Sequence, residues 1–207
     1  MKIQVFNQNI AFENTYVLVK KNKAIVIDPG FNGAQILEYL STSNFELQMV
    51  LLTHGHFDHL RDIKLLQKHS KFVIYIHELD KQNLFDESFN YAKSFHSSFT
   101  LKPEQEVKYL QDNSKILFED QEITLLHTPG HTIGSSCYLI DKFLFSGDTL
   151  FTDSIGRTDL KTGNQKMMND SILKLKEKIS NQTLIYPGHG QSGKMSEIKK
   201  TNFYLSR

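Results

Sequence analysis

The segment Thr53-His54-Gly55-His56-Phe57-Asp58-His59 sets three imidazoles and a carboxylate within six consecutive positions, and any fold of this chain has to accommodate them. Packed side by side, such groups must shed protons, repel one another or share a cation. In an extended segment residues two apart point to the same side, so His54 and His56 can grip one ion while Gly55 keeps the turn uncrowded. Asp58 and His59 stand at the expected start of a helix running to about position 69, with Leu60, Ile63 and Leu66 along one face. From there they can reach a second ion.

Three further ligand types follow apolar runs. Thr128-Pro129-Gly130-His131-Thr132 comes after the run 123–126, Ser146-Gly147-Asp148-Thr149 after 143–145, and Tyr186-Pro187-Gly188-His189-Gly190 after 183–186. A strand end where the backbone turns sharply is the usual seat of a site residue. His54, His56, Asp58, His59, His131, Asp148 and His189 are therefore the expected ligands of a two-metal centre. Nitrogen and oxygen donors without thiolates suit zinc, iron or manganese in a catalytic site better than structural zinc. The single cysteine, Cys137, lies in an apolar run and is expected to pack in the core. Two divalent ions are only partly neutralised by Asp58 and Asp148, so anionic substrates and developing oxyanions are favoured there. Metal coordination lowers the pKa of water from about 16 towards 7, which makes hydroxide available without a dedicated base. Asp58 is expected as ligand first and as a proton acceptor second.

With these motifs the chain resembles the metallo-β-lactamase fold superfamily and, within it, the glyoxalase II-like hydrolases. The likeness runs from Asn14-Thr15-Tyr16 and Asp28-Pro29-Gly30 through the metal motifs to Thr201-Asn202. It implies that His54, His56 and His131 hold one ion, that Asp58, His59 and His189 hold the other, and that Asp148 bridges them. It also implies that Asp28 orients the histidine loop through hydrogen bonds. The activity so implied is cleavage of hydroxyacyl-thiol esters by a metal-activated hydroxide, with two divalent ions, zinc before iron or manganese. Two departures concern the substrate. Eighteen residues follow His189, room for one closing helix over 196–205 in place of the helical domain that carries much of the glutathione site in larger relatives. Arg61-Asp62 stands where small residues are usual. β-Lactamases of the commonest type carry cysteine where this chain has Asp148, and they are exported, whereas 1–6 reads as a strand without a long apolar signal segment. Antibiotic hydrolysis is not expected. The string Gly156-Arg157-Thr158-Asp159 also resembles persulfide dioxygenases, which use one iron and oxygen, and that oxidoreductase is the alternative. A binding protein that keeps the fold without catalysis is a third reading, opposed by the full set of seven ligands.

A chain of 207 residues, 39% hydrophobic, has material for one substantial core, so a single domain over 1–207 is expected. A net charge of +1 offers no footprint for nucleic acid, and no apolar run approaches a membrane span of about 18 residues. A lone cysteine forms no internal disulfide and suits a cytoplasmic setting. The expected partner is thus a small-molecule thioester. Strands are expected at 3–6, 16–19, 24–27 and 49–53, with a helix over 33–40. A second series lies at 116–118, 123–126, 136–140, 143–145 and 183–186. A helix over 165–179 buries Met168, Ile172, Leu175 and Ile179. Two β-rich halves, each covered by helices, make an α/β four-layer αββα sandwich, as the resemblance also implies. The stretch 78–111, with Phe85, Phe89, Tyr91, Phe95 and Phe99 among charges, is expected to be a helical excursion, or else a lid, a substrate wall or a dimer contact. His69, His77, His96 and His127 read as structural or solvated, and Arg157 as half of a salt bridge to a nearby aspartate.

Overall fold

In the computed structural model, whose described residues are 1–102 and 104–206, β2 (Thr15–Lys20) and β3 (Lys23–Ile27) divide their side chains between two cores. Val17, Val19, Ala24 and Val26 enter one core, and Tyr16, Leu18, Ile25 and Ile27 the other. The period of two along a strand requires this wherever both faces of a sheet are covered. The same alternation recurs in the second half. In β8 (Gln121–His127), β9 (Ser136–Ile140), β10 (Phe143–Gly147) and β11 (Leu184–Pro187), the side chains of Ile123, Leu125, Tyr138, Ile140 and Phe145 join the shared middle core. Leu126, Cys137, Leu144 and Ile185 face a third. Three cores separate four layers.

The first sheet has the order β1 (Lys2–Phe6), β2, β3, β4 (Glu46–Leu51), β5 (Val73–His77), β6 (Val107–Leu110). The second runs β12 (Gly193–Lys194), β11, β10, β9, β8, β7 (Lys115–Phe118). Outside the first sheet lie α1 (Gly33–Thr42), α2 (Phe57–Leu60) and α3 (Ile63–Gln67), which bury Ile36, Leu40, Leu60, Ile63 and Leu66. Between β5 and β6 sits the single turn α4 (Glu87–Asn90). Outside the second sheet, α5 (Gln165–Lys178), α6 (Met195–Thr201) and α7 (Phe203–Ser206) bury Met168, Ile172, Leu175, Met195, Ile198 and Leu205. No helix among the described residues is long and apolar enough to cross a membrane.

Three expectations are corrected. The helix foreseen from Asp58 to about position 69 is broken into α2 and α3. The Asp62 N–H donates to Gly30 O at 2.9 Å, and the His59 carbonyl accepts from Gly30 N at 3.1 Å, so the loop after β3 takes the bonds that would have continued the helix. The Asp62 carboxylate is itself held by Gly33 N at 2.8 Å and Arg61 Nη1 at 2.7 Å. The closing helix splits at Asn202, whose side-chain amide donates to Phe151 O and Ser154 O at 3.1 and 2.9 Å. The 78–111 stretch is only partly helical: tight 3₁₀ turns at Glu78–Leu84 and Ala92–Phe95 flank α4, and β6 then joins the first sheet beside β5. Strand β4 ends at Leu51 because Asp28 claims both the N–H and the hydroxyl of Thr53.

Candidate metal centre

Four strand exits deliver the seven predicted ligands to one place. The β4 exit carries His54 and His56 and leads into α2, which bears Asp58 and His59; the β8–β9 turn carries His131; the exits of β10 and β11 carry Asp148 and His189. Three triads result: His54 with His56 and His131, His54 with His59 and Asp148, and Asp58 with His59 and His189, their donor atoms lying within 4.8 Å of one another. His54 and His59 each belong to two triads, so the three share one contiguous space.

Hydrogen bonds on the outer side set the tautomers. His131 Nδ1 lies 2.8 Å from Arg157 O, and His189 Nδ1 lies 3.0 Å from Phe12 O; carbonyls accept, so both Nδ1 atoms carry the proton. His59 Nδ1 donates to Asp28 Oδ2 at 3.0 Å. The Thr53 hydroxyl gives its own proton to Asp28 Oδ2 at 2.6 Å, so at 3.1 Å it accepts from His54 Nδ1. All four rings therefore turn Nε2 inward. His56 turns Nδ1 inward instead, 2.9 Å from His131 Nε2.

Three of the inward atoms, His54 Nε2, His59 Nε2 and Asp148 Oδ1, are buried with no hydrogen-bond partner. Each such atom costs about 1–3 kcal/mol if nothing satisfies it. Imidazole nitrogens that give up a proton to a metal, beside two carboxylates, are the donor set of a divalent cation, and the residues fit one. Asp148 stands between the clusters, with Oδ1 3.5 Å from His59 Nε2 and Oδ2 3.6 Å from both His131 Nε2 and His189 Nε2. Asp58 Oδ2 lies 3.5 Å from His189 Nε2 and 3.8 Å from His59 Nε2.

Proton affinities follow this packing. Burial, reinforced by the neighbouring imidazoles, pushes His54 well below its usual range, and burial with His131 does the same to His56. Burial would also depress His59, yet Asp148, Asp58 and Asp28 together raise it well above 6.5. Burial opposes ionisation of Asp58, but His59 and its neighbours outweigh it and hold the carboxyl well below the ordinary range.

Residues that local patterns do not mark hold the ligand loops. Asp80, fully buried, accepts from Gly55 N at 2.9 Å, Thr132 Oγ1 at 2.8 Å and Gly134 N at 2.8 Å, tying the His54–His56 loop to the His131 turn. Burial raises its pKa. Glu13, also fully buried, pairs through its backbone with His189, and burial pushes its carboxyl up to about 8. Asp28 orients Thr53, His54 and His59 as expected. Away from the centre, Cys137 is buried, with burial pushing its thiol up to about 11. Arg157 makes a forked pair with Asp159 at 2.7 and 2.8 Å.

Residues 10–189 match the family described as the metallo-beta-lactamase superfamily. The probable metallo-hydrolase YqgX of Bacillus subtilis (strain 168) is 31% identical over 196 residues, covering 93% of this chain and 92% of its own. Among solved structures, BLEG-1 B3 metallo-beta-lactamase superposes with a TM-score of 0.92 at 26% identity, covering 100% of both chains. TTHA1623 in a di-iron-bound form does so with a TM-score of 0.85 at 28% identity, over 98% of this chain and 100% of its own.

Proposed function

The chain belongs to the metallo-beta-lactamase superfamily and is a metal-dependent hydrolase of it, and on that premise we propose that it cleaves thioesters of hydroxy acids at a pair of divalent ions. Asp148 carries this reading, because its two oxygens face both ligand clusters at 3.5–3.6 Å, as a ligand shared by two ions must. In this assignment His54, His56 and His131 hold one ion, Asp58, His59 and His189 the other, and Asp148 both. Such ions, when bound, supply Lewis-acid polarisation of a carbonyl and water that ionises near neutral pH.

The chain's own residues then position and exclude. The Asp28 carboxylate and the Phe12 and Arg157 carbonyls fix which imidazole nitrogen points inward. Asp58 is the catalytic residue of this reading, ligand first and proton acceptor second: His59 and its neighbours hold its carboxylate ionised, with Oδ2 3.5 Å from His189 Nε2. The flanking charged groups are otherwise engaged, Asp28 by Thr53 and His59, Asp80 by three donors, and Arg157 by Asp159. A leaving group that departs without a proton suits such a site, and a thiolate does so far more readily than an alkoxide or an amide nitrogen.

A panel of acylated thiols, oxygen esters, a β-lactam and a persulfide, offered to protein of measured metal content, tests the proposal. Thioester cleavage with about two metals per chain is the expected outcome. Lactam opening without thioester cleavage would replace the substrate class, as the likeness to BLEG-1 would then suggest. One iron per chain with oxygen uptake on the persulfide would overturn the hydrolytic reading.

A further inference from the structure

Tyr91 closes α4 with a left-handed backbone, φ 62° and ψ 21°, which costs an aromatic residue about 1–2 kcal/mol and persists only where the surroundings demand it. Its neighbour Asn90 supplies the demand: fully buried, it donates to Asn83 O and Phe99 O and accepts from Ala92 N. The result is that the half-buried Tyr91 ring stands edge-on to the ligand His56, with centroids 5.3 Å apart. The phenol oxygen accepts from Lys161 N at 2.5 Å. Lys161 also ties its Nζ to Ser88 Oγ at 2.9 Å and rests over the Phe89 ring at 3.6 Å. The same loop accepts, through Arg157 O, from the ligand His131. The Tyr91 hydroxyl is thus pinned by Lys161 N in an exposed hydrogen bond, while among the described residues no acceptor meets its own proton. A donor polarised by an incoming hydrogen bond, on a ring that stands against the ligand His56, is available to an oxygen brought by the substrate.

We infer that Tyr91 contacts substrate, its hydroxyl donating a hydrogen bond to an oxygen of the acyl group held at the metal centre; this rests on the acyl-hydrolase reading of that centre. Tyr91→Phe keeps the ring against His56 and removes only the oxygen. In that variant kcat/KM should fall about three- to tenfold, the effect of one neutral hydrogen bond. The affinity for lactate, a carboxylate product measured by titration calorimetry, should fall by a similar factor, with metal content unchanged. Lys161→Ala, which cuts the side-chain tethers of the same loop, should change kcat/KM less than about twofold. The inference is overturned if Tyr91→Phe leaves both kcat/KM and lactate affinity at wild-type values, if its losses follow metal content, or if Lys161→Ala reproduces them. Whether thioesters are substrates at all is read from the wild type alone, and if another acyl substrate is turned over the same comparison is made with it.

Discussion

A Cβ on residue 188 would lie 2.2 Å from Asp148 Oδ1 and 2.8 Å from His59 Cε1, so only glycine lets the β11 exit pass behind the shared carboxylate. Gly188→Ala is expected to push Asp148 off both clusters and to lower metal affinity and kcat/KM by at least about 10- to 100-fold. Metal analysis beside kinetics checks it, and full occupancy with full turnover would show that the carboxylate has room to spare. Asp28 presents the complementary case, since its two oxygens serve three donors, Thr53 N, Thr53 Oγ1 and His59 Nδ1. Asp28→Asn turns an N–H₂ toward a donor, and competition with a chelator should show metal affinity about 10- to 100-fold weaker. The candidate ligands were legible in the sequence because His54, His56, Asp58 and His59 are compressed into one motif. Asp80 was not: its donors Gly55 and Gly134 lie 25 and 54 positions away, and nothing around position 80 marks it.

Strands β5 and β8 belong to different sheets, and they end in His77 and His127, whose rings stack at 3.9 Å and 10°. His77 Nδ1 accepts from Leu79 N, His127 Nε2 meets Ile133 O, and the charged groups Glu78, Asp112 and Lys174 surround the pair. Burial, then the neighbouring imidazole, push His77 from 6.5 down to about 4. Between those values the unfolded chain binds a proton that the folded chain refuses. The stability this pair contributes is therefore complete above about pH 6.5 and lost as pH falls through about 4. His77→Phe, which keeps a stacking ring and removes the titration, should flatten the fall of the urea midpoint across that window; an unaltered slope would assign the acid sensitivity to other groups. At this scale the sequence was readable wherever a strand or helix follows its own period, as α5 does with Met168, Ile172 and Leu175. It was opaque where a distant partner takes a backbone bond, as Gly30 does at Asp62. Strand β6, four residues at the sheet edge with Lys108 and Tyr109 exposed, is too short to show the apolar alternation that betrays buried strands.

The two sheets contribute ligands from opposite sides of the middle core: His54, His56, Asp58 and His59 follow β4, whereas His131, Asp148 and His189 follow strands of the second sheet. A pair of ions bound between them would act as a cross-link that the unfolded chain cannot form, because positions 54 and 189 are brought together only by the completed sandwich. Binding to the folded state alone adds RT ln(1 + [L]/Kd), about 2.7 kcal/mol at a free metal concentration 100 times Kd. Two such sites double that, and a chain of this length gains about 2–4 °C per kcal/mol, so roughly 10–20 °C separates the thermal midpoints of metal-loaded and chelator-treated protein. In Asp148→Asn the shared carboxylate is gone, and with it most of that difference, while the chelator-treated midpoint should stay near the wild-type value or somewhat below it. The Asp148 carboxylate lies near His59, His131 and His189, and without ions it helps to hold a crowded set of polar groups with unmet bonding capacity. Differential scanning calorimetry with and without chelator on both proteins checks this, and an equal metal-dependent shift in the two would mean that the halves are joined without Asp148.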